Sequence, residues 1–169
     1  MCLAGSLAAI MLHLLVSYTL PYPLNHVNAI IGLVILSILW FDSGVVVWLS
    51  FVVFFFLEQF QSGPFGILIA SGTFSTLILF WLYKELFTNR SLWSVLAMSG
   101  IGVLVYRVLY YVGLYMVNLA SRVYIVPIDI SSSFFLLFWE LLFTIIFTAI
   151  LFLASTLFSK KFNVRALKN

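Results

Sequence analysis

The chain has 169 residues, of which 64% are hydrophobic and only 8% charged, with five acidic and eight basic residues and a formal net charge of +3. A soluble domain carries about 25% charged residues, and no fold of this length hides so much apolar surface from water, so the surrounding solvent must be lipid. That excludes a soluble enzyme or a soluble binding module. The single cysteine, Cys2, also excludes a disulfide framework and a cysteine-built metal site.

Crossing the hydrocarbon takes about 20 apolar residues in a helix. The first run, about residues 2–20, has no basic residues at its start and no small-residue cleavage pattern at its end, so it reads as a retained span. It closes at Pro21 and Pro23. The second run, about 27–41, is short and stops at Asp42-Ser43-Gly44. The third, about 44–60, ends in "FFFLEQFQSGPFG", where Glu58 and two amides precede the break Ser62-Gly63-Pro64. Glycine and proline there let the chain reverse tightly. The fourth run, about 65–83, stops at "YKELFTNRS", and the fifth, about 92–117, carries an internal "SGIG". After the polar connection "NLASRVYIVPIDISS" comes the sixth, about 133–158. The predicted fold is all-α: a polytopic membrane protein with one bundle of about six transmembrane helices over residues 1–158, short loops, and a basic tail over 159–169.

An even number of spans puts both termini on one side. Lys160, Lys161, Arg165 and Lys168 of the tail make that side cytoplasmic by the positive-inside rule, and Lys84 and Arg90 then fall there too. Only Arg122 falls outside. Tyr18, Tyr22, Trp40 and Tyr83 cluster at span ends, where an amphipathic ring suits the headgroup region. The fourth run starts with small residues at four-residue spacing, and Ala70, Ser71, Gly72 and Ser75 form a face that a neighbouring helix can approach closely. That neighbour is another helix of the bundle or a partner membrane protein.

Two charged residues lie inside the bilayer. Arg107 in "VLVYRVLYYVG" sits about ten residues short of the outer end of the fifth run, roughly 15 Å deep at 1.5 Å per residue. Glu140 in "LLFWELLF" lies at a nearly matching depth in the sixth run. A charge in hydrocarbon costs about 2.5–3.5 kcal/mol on insertion scales, so such residues pair or face a cavity. An Arg107–Glu140 ion pair between consecutive helices is expected; the alternative is an Arg107 that snorkels outward and a Glu140 that is protonated or faces a partner. His13, alone in the first span, reads as a hydrogen-bonded packing residue.

Catalytic chemistry finds no foothold. Ser99 in "MSGIG" has glycines beside it but only His13 to act as a base, and five scattered acids form neither a paired-carboxylate site nor a metal and pyrophosphate site. No enzymatic activity, cofactor, metal or nucleic-acid partner is expected. The basic tail suits anionic lipid or a cytoplasmic protein surface.

The stretch from Glu58 through Pro64-Phe65-Gly66 carries a further signal. A short apolar helix, an acid, a few polar residues and a Gly-bearing turn leading into a small-residue helix resemble the rod-shape-determining protein MreD family. The "FTNRSLWSVLAMSGIGVLVY" run is similar to that family's fourth-to-fifth connection, and the resemblance covers roughly residues 20–115. Glu58 takes the place of the family's usual Asp. The resemblance implies a non-enzymatic scaffold of the bacterial cytoplasmic membrane. Its partners would be a bitopic MreC-like protein, the cytoskeletal MreB and the enzymes that elongate the lateral wall, with Glu58, Pro64 and Gly66 as a partner or turn contact.

A rival of the same size and topology is a protein resembling the substrate-binding S components of vitamin transporters. Such a subunit needs a concave polar cluster at one face. Asn25, His26, Asn28, Glu58, Gln59, Gln61, Arg122 and Asp129 either line such a pocket or form the polar rim of an outer surface.

Overall fold

The computed structural model describes residues 26–61, 63–87, 91–121 and 130–166, with Ile10, Met11, His13, Leu15, Thr19 and Pro21 of the first apolar run. Five helices follow one another: α1 (Ala29–Phe41), α2 (Val45–Glu58), α3 (Ile67–Glu85), α4 (Leu92–Ser121) and α5 (Ile130–Ala166). The described residues contain no strand.

Helix α1 starts at Asn28, whose side-chain oxygen accepts from the backbone N–H of Ile31 at 3.3 Å and so satisfies one of the unpaired donors of the first turn. It stops at Asp42, which turns left-handed (φ 46°) and returns its N–H to the Ile38 carbonyl at 3.1 Å. The segment is aliphatic on every side, and a helix of that kind must be enclosed. Nine of its 13 residues are buried, and it packs against all four other helices. It forms the centre of the bundle.

The helices alternate in direction. Lys84 in the last turn of α3 reaches Asp42 Oδ1 at 2.5 Å, so α1 and α3 end together. Helix α4 runs against α3, with Gly102 beside Leu79 and Gly113 beside Ile67. Helix α5 runs with α1, because Thr144 meets Asn28 and Thr148 meets Gly32. The bundle therefore has a Glu58 end and a Lys84 end.

Small residues set the tightest contact. A Cβ built on Gly72 would lie 2.3 Å from the Phe54 ring, so α3 and α2 touch where only glycine fits. Ser71, Ser75 and Thr76 are buried on the same side, and their hydroxyls donate to backbone carbonyls of their own helix. Three residues of the expected face, Ser71, Gly72 and Ser75, are thus enclosed. Ala70 is exposed, one helical step off the seam. Large apolar side chains such as Trp48, Phe74, Trp93 and Phe134 point outward from the bundle.

Three helices, Ile67–Glu85, Leu92–Ala120 and Phe134–Leu157, are long and apolar enough to cross a membrane, and the chain is a helical membrane protein. Six full crossings are not found among the described residues. With 13 and 14 residues, α1 and α2 reach only about 20 and 21 Å against a hydrocarbon core of about 30 Å. The runs at about 27–41 and 44–60 are already short, and the structure spends Asn28 and Gly44 as caps and Gln59 and Phe60 on the turns after Glu58. Most of the first run lies outside the described residues. Within the segment expected as a basic tail over 159–169, α5 stays helical through Lys160, Lys161 and Arg165 to Ala166, and Lys168 lies outside the described residues.

Candidate functional site

The site begins where α1 begins. Asn28 lies at the Glu58 end of the bundle, facing the middle of α4 and the first third of α5. Its backbone N–H donates to Thr144 Oγ1 at 3.0 Å and its side-chain amide donates to Glu140 Oε1 at 2.9 Å. From the other side, Arg107 Nε donates to Glu140 Oε2 in an ion pair. Each carboxylate oxygen of Glu140 therefore has a donor, one from α1 and one from α4. Such satisfaction is what a buried charge requires.

Arg107 and Glu140, matched by depth in the sequence, are brought together here across α4 and α5. Their surroundings differ. The Glu140 side chain is 3% exposed and the Arg107 side chain 26%, because the guanidinium borders open space. That space is a cavity of about 170 Å³. A single water needs roughly 10–15 Å³, so the cavity has room for a small polar group.

The lining comes from every side of the bundle. Asn28 and Val27 contribute from the start of α1, Leu68 from the first turn of α3, Gln61 from the preceding turn, and Tyr106 and Tyr110 from α4. The two phenol rings stack at 6.2 Å, and Phe54 stacks behind Tyr106 at 6.0 Å. His13 and His26 complete the wall. The buried Nδ1 of His13 has no hydrogen-bond partner among the described residues, so its expected role as a hydrogen-bonded packing residue is not what the described contacts show. Helix α4 continues from Arg107 to Ser121, 14 residues or about 21 Å further, so it rises well past the cavity level.

No protein-family model matches the chain, and no curated protein or solved structure is significantly similar to it.

Glu58 has a different task from the one its place in a polar loop suggests. It is buried, with 6% exposure, and its carboxylate accepts from three backbone N–H groups: Gly66 at 2.7 Å, Leu68 at 3.2 Å and Ile69 at 3.1 Å. These are donors at the start of α3, and Gly66 (φ 97°) has no side chain to cap them. The acid at the end of α2 thus supplies the missing cap and neutralises the positive end of the next helix. Glu58 is a turn contact within the chain, and its carboxylate is enclosed by it. Phe65 is exposed and Pro64 half-buried at the tip of the same turn.

Of the remaining loop residues, His26, Asn28 and Gln61 reach the cavity, Gln59 is exposed away from it, and Asn25, Arg122 and Asp129 lie outside the described residues. Ser99 is fully buried, and its hydroxyl donates to the Leu96 carbonyl at 2.9 Å, which leaves no exposed nucleophile at that position. No group of three His, Cys, Asp or Glu side chains among the described residues has the geometry to hold a metal ion. Thr144, Tyr106 and Tyr110 were not anticipated. The available signals were Thr144 one turn after the intramembrane acid and two tyrosines flanking the intramembrane base at helical spacing.

Proposed function

We propose that this chain is a non-enzymatic scaffold of the cell-wall elongation, or rod-shape, machinery of a bacterial cytoplasmic membrane. It would join a cytoskeletal filament to peptidoglycan-synthesis components. The reading rests on the resemblance of the Glu58–Gly66 stretch to the MreD family. The observation that carries it is the three-donor capture of the α3 start by Glu58. That contact ties the end of α2 to the start of α3, with Phe65 exposed between them.

In this reading the Lys84 end faces the cytoplasm, as the positive-inside rule asks of Lys84 and of the basic end of α5 with Lys160, Lys161 and Arg165. The Glu58 turn and the cavity then face outward, toward a bitopic MreC-like partner and the wall-synthesis enzymes, with membrane lipid around the outward apolar side chains. Depletion in a rod-shaped host that encodes the protein is the test. Rounding of the cells, with no new vitamin requirement, is the expected outcome. Cells that keep their shape after depletion contradict the scaffold.

The cavity favours a second reading, a substrate-binding S-component-like subunit of a vitamin transporter. A small molecule that copurifies with the protein, together with a growth requirement on depletion and unchanged cell shape, would select that reading.

A further inference from the structure

We propose that the cavity beside Arg107 binds an oxyanion, a phosphate group, with the Arg107 guanidinium as its cationic anchor. The inference stands on the cavity and does not depend on the scaffold reading.

Two acids lie near the space, Glu140 on its wall and Glu58 not, and the carboxylates of both are engaged by donors. Glu140 is enclosed, with one oxygen held by Arg107 Nε and the other by the Asn28 amide. Glu58, behind Gln61, is enclosed by three backbone N–H groups. No other acid among the described residues lines the cavity. The wall presents the Arg107 cation together with neutral hydrogen-bonding groups: the imidazole of His13, the Gln61 amide and the phenols of Tyr106 and Tyr110.

The anchor is held ready. Glu140 takes the Nε of a planar group with five N–H donors, in a fork that matches phosphate geometry. A side chain fixed in this way loses little freedom on binding, so its interaction with an anion is not spent on ordering it. The positive start of α1 at Asn28 adds a favourable field at the same wall. The one permanent cation on the wall among the described residues, Arg107, is a match for a phosphate oxygen.

Two sources carry this group, a soluble phosphate compound and a phospholipid headgroup, and one experiment separates them. The full chain in maltoside micelles is titrated with inorganic phosphate, and separately with dihexanoyl-phosphatidylglycerol as single molecules, each at constant ionic strength in chloride. Binding of at least one probe to the wild type is expected. Glu140→Gln keeps an acceptor for Nε and removes the counter-charge, so it should tighten binding several-fold. Arg107→Gln combined with Glu140→Gln removes both charges without stranding either, and should weaken binding by at least about tenfold. Lys84→Gln, at the opposite end, should change nothing.

Equal response to both probes points to a soluble phosphate ligand, and response to the lipid alone points to a headgroup; both support the site. Absence of binding by either probe overturns it. So does binding that is indifferent to both charge variants. Should the double variant fail to fold, Glu140→Gln alone decides the matter, because loss of a merely structural contact does not tighten binding.

Discussion

Two glutamates are buried in this protein, and they are buried for different reasons. Glu58 meets only backbone: its partners Gly66, Leu68 and Ile69 lie 8 to 11 residues further along the chain. Glu140 meets side chains from two other helices, Arg107 and Asn28, which lie 33 and 112 residues away. The first acid closes a turn and would do so in an isolated helical hairpin. The second exists as a satisfied charge only once α1, α4 and α5 have assembled. One is a lock on local geometry, and the other is a gauge of the whole bundle with a cavity at its side.

The largest effect should come from stranding the long-range acid. Arg107→Ala leaves Glu140 enclosed without its counter-charge, and removal of one partner from a buried pair costs about 3–5 kcal/mol. Denaturation of the purified protein in micelles should show a loss in that range, together with faster backbone exchange along α1, α4 and α5. Glu58→Gln should cost less, about 2 kcal/mol, since the amide keeps one acceptor and loses the charge that strengthens its bonds to the α3 donors. Hydrogen exchange sharpens the contrast. The amides of Gly66, Leu68 and Ile69 should speed up in Glu58→Gln, while those of α5 stay as they were. If both variants loosen the same amides, the distinction between lock and gauge is lost.

Smaller effects probe the edges of the two systems. Asn28→Ala removes the α1 cap and one of the two donors to Glu140, at a cost of about 1 kcal/mol for the cap and somewhat more for the lost partner. Its destabilisation should be less than additive with that of Glu140→Gln, because the two residues share a bond. Lys84→Gln breaks an ion pair whose partners are 45% and 46% exposed, and such pairs contribute about 0–1 kcal/mol. A shift as large as that of Glu58→Gln would mean that the Lys84 end carries more of the stability than its exposure implies.

Much of the helix pattern is readable from hydropathy. The run at about 27–41 corresponds to α1 at Ala29–Phe41, and the run at about 65–83 to α3 at Ile67–Glu85. The far end of α5 is not, because Lys160 and Lys161 oppose lipid but do not oppose a helix. A helix leaving the apolar layer keeps its internal hydrogen bonds and can run on to Ala166. The two runs that become α1 and α2 already fall short of a full crossing, so counting them as spans rested on composition and not on length.

The site divides in the same way. Depth matching singles out Arg107 and Glu140, because a charge in lipid has few affordable surroundings and the two helices are consecutive. Asn28 and Thr144 escape that reasoning. They are 116 residues apart, and nothing in either neighbourhood indicates that α1 returns to lie beside α5. For Glu58 the sequence indicates a turn but not the three backbone donors that its carboxylate meets. The clue was Gly66, a helix start with no capping side chain, for which an acid before the turn is the nearest remedy.

The most direct measurement is a double-mutant cycle on Arg107 and Glu140, with unfolding followed in micelles for both single charge reversals and the swap. The swap Arg107→Glu with Glu140→Arg should recover at least half of the stability that either single reversal removes, giving a coupling of about 2 kcal/mol or more. A swap no better than its worse parent would contradict the pair and, with it, the enclosed acid and the half-buried Arg107 on which the cavity's chemistry rests.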